Sequence, residues 1–307
     1  MSYKIAFIGG GNMAYALANG LLRADRPPSV IVADPIASQL DRYANSEINT
    51  TADNKRAVTG VDVVVVAVKP QIIRSVALEI APLITHQLVL SIAAGVPLSA
   101  LNAWFGETVS IVRCMPNTPA LIGAGISGLI RNTRTTDSQA ELAHRILSCV
   151  GDVLWFDEDA DLDAVTAISG SGPAYFFYLI ESMIKAAIEL GLTPEIAREL
   201  TLKTALGGAK MVIDSDDDLE ILRQNVTSPG GTTERAIAVF NREDMQGTIV
   251  RAIFEARERS IELSQEADND ALANPICRAT VVENFRIPFL KAFCPAGGTR
   301  RFLQPDF

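Results

Sequence analysis

A chain of 307 residues has room for two domains, and a composition of 48% hydrophobic and 21% charged residues is that of an ordinary soluble globular protein. Its formal net charge of −9 argues against a nucleic-acid surface, and no apolar run reaches the roughly 18 residues of a membrane span. Cys114, Cys149, Cys277 and Cys294 lack CxxC spacing, so neither a metal site nor a disulfide framework is expected, and a chain whose histidines are only His86 and His144 has little for histidine-based catalysis.

The N-terminus enters a strand pattern at once, without a secretory signal, so a cytoplasmic location is expected. Lys4–Ile8 reads as a short buried strand. It runs into Gly9-Gly10-Gly11-Asn12-Met13-Ala14 and then a helical pattern to about Ala24. This is GxGxxA between a strand and a helix. The first glycine permits the tight turn, the second lets a pyrophosphate approach the backbone, and the small third position allows close helix–strand packing. A dinucleotide site is expected here. Val30–Ala33 is the second strand and ends at Asp34. An acidic residue about 20 residues past the glycines bonds the adenosine ribose hydroxyls and favours NAD, although Ser38 and Arg42 nearby leave the choice between NADH and NADPH open.

Asp62–Ala67 is almost continuous valine, as in a parallel strand covered on both faces. It ends in Val68-Lys69-Pro70. Leu88–Ile92 ends in Ala93-Ala94-Gly95, and Ser110–Arg113 ends in Met115-Pro116-Asn117-Thr118-Pro119. Ligands of such folds gather at the carboxyl ends of the strands, so these three ends are expected to line a cofactor groove. A further strand, a helix around Ser138–Val150 and a last strand at Val153–Trp155 complete this half.

Beyond that point strand signals stop. Asp161–Ile168 is helical, Ser169-Gly170-Ser171-Gly172-Pro173 interrupts it, and Ala174–Leu190 resumes. Thr193-Pro194 caps a helix that runs to about Ile213, and another runs from Asp244 to about Gln265. The fold class is therefore α/β: a Rossmann-type dinucleotide-binding domain over 1–159, followed by an all-helical dimerisation and substrate domain over 160–267. Tyr175, Phe176, Phe177, Tyr178 and Leu179 are consecutive and must face at least two directions on one helix, so a second partner surface is expected.

Between two helical segments, Leu219–Val226 and Glu234–Phe240, lies Thr227-Ser228-Pro229-Gly230-Gly231-Thr232-Thr233. Pro229 fixes φ and offers no N–H, while the two glycines allow backbone that other residues cannot reach. Thr232 and Thr233 open the next helix with hydroxyls free to bond. Orphan N–H groups and the helix dipole there favour negative charge, so the loop reads as an anion cradle. It also reads as a plain helix–helix turn, and the company it keeps decides between the two.

IGGGNMA, AVKPQ, SIAAG, RCMPNTPA, AISGSGPAYFF and VTSPGGTTERA occur together and in this order. This combination closely resembles pyrroline-5-carboxylate reductase over roughly residues 4–266. The resemblance implies hydride transfer from NADPH or NADH to the C=N carbon of 1-pyrroline-5-carboxylate, giving L-proline. It also implies an intertwined homodimer through the helical domain, often built into a decamer. By motif, Ile8, Gly9, Gly10, Gly11, Asn12, Met13, Asn54, Ala67, Val68, Lys69, Pro70, Ala93, Ala94 and Gly95 would contact the cofactor. Ser228, Gly230, Gly231, Thr232 and Thr233 would hold the substrate, with Thr233 at the ring nitrogen as the catalytic residue. Asp216 falls where a proline-contacting carboxylate occurs. The chemistry suits a chain poor in histidine, because a cyclic imine is already electrophilic and most of the gain is positioning.

The likeness stops near Glu266. Residues 268–307 form an atypical tail; from 269 onward it carries five basic and three acidic side chains, four prolines and two of the cysteines. By its composition it is expected to be dispensable for chemistry. Two other readings compete. A 3-hydroxyacid dehydrogenase shares the two-domain plan, and resemblance to that family would place a catalytic lysine about one helical turn past SGSG; the first lysine here is Lys185. A non-enzymatic nucleotide-sensing regulator would leave TSPGGTT unexplained.

Overall fold

The computed structural model describes residues 3–272. Strand β1 (Lys4–Ile8) turns through the glycines into α1 (Asn12–Leu22), and β2 (Ser29–Ala33) and the short α2 (Ala37–Leu40) follow. Next come β3 (Asn49–Thr51), α3 (Asn54–Val58), β4 (Val63–Val66), α4 (Pro70–Ile80), β5 (Leu88–Ser91) and α5 (Leu98–Phe105). The half closes with β6 (Ser110–Met115), β7 (Gly125–Arg131), α6 (Asp137–Ser148) and β8 (Gly151–Trp155). All strands form one sheet in the order β3-β2-β1-β4-β5-β6-β7-β8. Pairing is parallel from β3 across to β6, antiparallel between β6 and β7, and parallel again between β7 and β8.

The four valines of β4 are all buried because helices cover both faces of the sheet. Val63 and Val65 pack with Phe7, Leu90 and Leu17 of α1; Val64 and Val66 pack with Ile8, Val89 and Ile73 of α4. Burying each such side chain contributes about 1.5–3 kcal/mol. The order reverses around β1, which lies between β2 and β4. That switch point is where an open α/β sheet leaves a crevice at its carboxyl edge. The sequence signals do not extend to β3, whose Asn-Thr-Thr is polar and largely exposed at the sheet edge.

The helical half comprises α7 (Asp161–Val165), a π-turn over Thr166–Gly170, α8 (Gly172–Glu189), α9 (Pro194–Ile213), α10 (Leu219–Asn225), α11 (Thr232–Arg242) and α12 (Met245–Leu272). Helices α8 and α9 run as a packed pair, and α11 packs on α12. Helix α12 runs past the expected end near Gln265 and returns to the sheet domain. Leu263 touches Gly95, Ser99 donates to Asp268, Arg74 pairs with Asp270 at 2.9 Å, and Ala271 is buried. The start of the expected tail, 268–272, is thus the end of this helix, held there by polar pairs to α5 and α4 and by buried Ala271, which no helix-period count reveals; 273–307, with Cys277 and Cys294, lies outside the described residues. No helix among the described residues is long and apolar enough to cross a membrane.

Candidate active site

The nucleotide groove starts at Gly9. Its φ is +100°, and a Cβ there would lie 2.6 Å from the carbonyl oxygen of Ala67, so glycine alone lets the turn pass the end of β4. Gly11 caps α1 and has open space where its side chain would be. The first N–H groups of α1 have no intrahelical acceptor and face that space with the positive end of the helix dipole. An uncovered, glycine-lined helix start at the switch point fits a pyrophosphate. Lys69 caps α4 at the next strand end, with Pro70 in its first turn. Ala93 is buried, Ala94 is half-buried, and Gly95 presses on α12. Ile8–Met13, Ala67–Pro70 and Ala93–Gly95 therefore meet along the carboxyl ends of three adjacent strands.

Asp34 stands at the end of β2 but is only 8% exposed. One carboxylate oxygen accepts the Gly10 N–H at 2.8 Å and the other the Ile36 N–H at 2.9 Å. Its first role is to brace the glycine turn. Tyr43 braces the other side, donating its hydroxyl to the Gly10 carbonyl at 3.2 Å, and burial pushes the phenol pKa up, so it stays a donor. Arg42 bonds the Asn12 side chain at 3.0 Å and lies 4.4 Å above the Tyr15 ring, at the adenosine side of the turn. Asn54 opens α3 and donates to Glu79 at 2.9 Å, so its side chain is tied to α4 rather than to the glycine turn.

The second constellation is the loop before α11. Gly230 has φ +74° and donates its N–H to the Glu234 carboxylate at 2.7 Å; the Gly231 N–H bonds the Ser228 carbonyl at 2.9 Å. Gly231 is the helix cap and no side chain caps α11, so Thr232 and Thr233 occupy its first two positions. Neither threonine hydroxyl makes a hydrogen bond within the described chain, and Thr233 is half-buried beside exposed Ser228. The loop thus offers free hydroxyls and the first N–H groups of α11, while the Gly230 and Gly231 N–H groups are already bonded within the chain. Asp216, on the exposed connection between α9 and α10, makes no hydrogen bond or ion pair with it. No hydrogen bond within the described residues joins the loop to the nucleotide groove. Lys185, the residue a hydroxyacid dehydrogenase would need, is exposed along α8.

Two features escaped sequence reasoning. Arg113 on β6 is 3% exposed and forms a cluster with half-buried Asp159 and buried Asp163 and Ser260 at the junction of the halves. The π-turn over Thr166–Gly170 sets Gly170 directly on Met115 at the end of β6. The sequence signal for the first was an arginine inside an otherwise apolar strand, and for the second the break in helical pattern at Ser169–Pro173.

Comparison with known proteins supplies the family. Residues 159–263 match the family model described as pyrroline-5-carboxylate reductase dimerisation, and residues 4–95 the one described as NADP oxidoreductase coenzyme F420-dependent. The pyrroline-5-carboxylate reductase of Pseudomonas aeruginosa is 47% identical over 266 residues, covering 86% of this chain and 97% of its own. That of Haemophilus influenzae is 42% identical over 267 residues, covering 86% and 98%. The solved reductase of Coxiella burnetii matches with a TM-score of 0.79 at 39% identity, covering 86% of this chain and 99% of that one. Plasmodium falciparum pyrroline carboxylate reductase, solved with NADP bound, matches with 0.79 at 31% identity, covering 85% and 98%. With the glycine turn, the switch-point groove and the TSPGGTT cradle on one chain, and this identity over nearly the whole length of its relatives, the chain belongs to the pyrroline-5-carboxylate reductase family.

Proposed function

We propose that this protein reduces 1-pyrroline-5-carboxylate to L-proline with NADPH or NADH, the last step of proline synthesis. The observation that carries the reading is the pairing of a dinucleotide groove with an uncapped, hydroxyl-bearing anion cradle on the helical half. When bound, a reduced nicotinamide supplies the hydride that adds to the C=N carbon, and a proton reaches the ring nitrogen. The N–H groups at the start of α11 hold the substrate carboxylate, each such bond contributing about 1.5–3 kcal/mol. The Thr233 hydroxyl holds the ring nitrogen and relays to it a proton taken up from solvent. Ser228 and Thr232 complete the cradle. Asp34, Asn54 and Asp216 are assigned at longer range, Asp34 to the adenosine ribose and Asp216 to the proline ring.

The working unit is a homodimer built through the helical half, which extends to a decamer. Phe176, Phe177 and Tyr178 are all more than 60% exposed on α8, beside an apolar hollow of about 960 Å³ between α8, α11 and α12. So large an exposed apolar surface marks an interface. Region 1–159 serves nucleotide binding, and 160–267 serves assembly and substrate. The reading is tested by following NADPH and NADH oxidation with pyrroline-5-carboxylate, against small 3-hydroxyacids with NAD(P)+ in reverse. Turnover with the imine alone is expected; turnover with the hydroxyacids alone would replace the reading.

A further inference from the structure

We infer that Arg113 is a positioning residue for this reaction: its guanidinium fixes how the helical half sits on the carboxyl edge of the sheet. The inference rests on the reductase reading. One fork spans two carboxylates. Nη1 lies 2.6 Å from Asp159 Oδ1 and 3.2 Å from the Asp159 carbonyl oxygen, while Nη2 lies 3.9 Å from Asp163 Oδ1. The other oxygen of Asp159 accepts the Leu98 N–H at the start of α5 at 2.9 Å. Asp163 Oδ1 accepts the hydroxyl of Ser260 at 2.7 Å and that of Ser264 at 3.4 Å, both from α12. A single buried side chain thus ties β6, the domain boundary, α5, α7 and a helix about a hundred residues further along the chain.

Stability alone does not account for such a cluster, since a buried ion pair is often matched by well-packed apolar residues. Geometry does. Two residues beyond Arg113, Met115 ends β6 and packs directly against Gly170 of the π-turn. Leu263, between Ser260 and Ser264 on α12, rests on Gly95 at the end of β5, where a Cβ on that glycine would come within 2.7 Å. The arms of the clamp therefore end at the β5 and β6 edges, on the side of the groove away from Asp34. The guanidinium hydrogen-bonds Asp159 through one nitrogen and keeps the other within ion-pair reach of Asp163; an ammonium is a point charge that cannot face both at once. Loosening the clamp lets the helical half shift against the strand ends, and a displacement of about 1 Å in a hydride-transfer geometry costs on the order of 100-fold in rate.

The test uses Arg113→Lys, which keeps the buried positive charge and so guards folding, together with Ser260→Ala, which removes the shorter of the two α12 bonds to Asp163 without stranding a charge. Three quantities are read: kcat with pyrroline-5-carboxylate, NADPH Kd by fluorescence, and the primary deuterium isotope effect on kcat with nicotinamide deuterated at the transferred position. Arg113→Lys is expected to lower kcat about 10- to 100-fold with Kd within about 2-fold, and to enlarge the isotope effect as hydride transfer becomes limiting. Ser260→Ala is expected to move the same way by about 3- to 10-fold. Unchanged kcat in Arg113→Lys, or a loss of kcat with an unchanged isotope effect, overturns the inference while leaving the reductase reading in place. Absence of turnover in the unaltered protein sinks the reductase reading and this inference with it.

Discussion

On the proposed reading, Thr233 is the residue on which the chemistry turns. It stands at the second position of α11, behind a glycine cap, so its hydroxyl is not needed to start the helix. Thr233→Ala is expected to lower kcat/KM for pyrroline-5-carboxylate by about 10- to 1000-fold, or 1.4–4 kcal/mol, from one lost hydrogen bond up to a lost proton relay. Thr233→Ser is expected to restore most of it. Cofactor affinity is expected to stay put, because the glycine turn lies in the other half. Steady-state kinetics with an unchanged thermal midpoint check this, and near-normal kcat/KM in the alanine variant removes Thr233 from the mechanism. Asp34 gives the second prediction at this scale. Its two carboxylate oxygens brace Gly10 and Ile36, and on the proposed reading the carboxylate also faces the adenosine ribose. NADH is expected to work comparably with NADPH, and a preference for NADPH above about 100-fold in kcat/KM, roughly 2.7 kcal/mol, contradicts it.

At the scale of elements, α12 matters most for integrity. Beyond Gln265 it buries Ala271 and links Asp268 to Ser99 and Asp270 to Arg74. The sequence reading expected a chain ending at Gln265 to keep fold and turnover. These contacts add a stability cost to that truncation: a chain ending at Gln265 is expected to lose about 2 kcal/mol, a fall of about 4–8 °C in Tm, whereas one ending at Leu272 retains them. Calorimetry on the two truncations decides it, and equal midpoints contradict it. The contrast shows what the chain discloses in one dimension. Val63–Val66, the GxGxxA turn and TSPGGTT were legible because each obeys a local rule: a doubly covered strand, a φ beyond the reach of other residues, a helix opened by hydroxyls. Polar β3 and the clamp of Arg113 with Asp163 and Ser260 were not, because those residues meet only after the whole sheet and bundle are assembled. The Asn54–Glu79 hydrogen bond was not legible for the same reason.

As a whole molecule, the described chain is a finished sheet domain joined to an unfinished bundle. Phe176 and Tyr178 are 68% and 74% exposed, and α8 leaves an apolar hollow open beside them. On the proposed reading, the partner that covers this face also brings further surface to the Thr227–Thr233 loop, which no hydrogen bond among the described residues joins to its own nucleotide groove. Phe176→Asp with Tyr178→Asp is expected to yield a smaller species by light scattering that binds NADPH normally but turns over at least about 10-fold more slowly. A dissociated, fully active variant contradicts this. The measurement that reaches the central claim most directly follows the hydride itself. Incubating the protein with pyrroline-5-carboxylate and a reduced nicotinamide cofactor deuterated at the transferred position is expected to give L-proline labelled at C5. Cofactor oxidation without labelled L-proline, or no oxidation at all with this imine, would contradict the account.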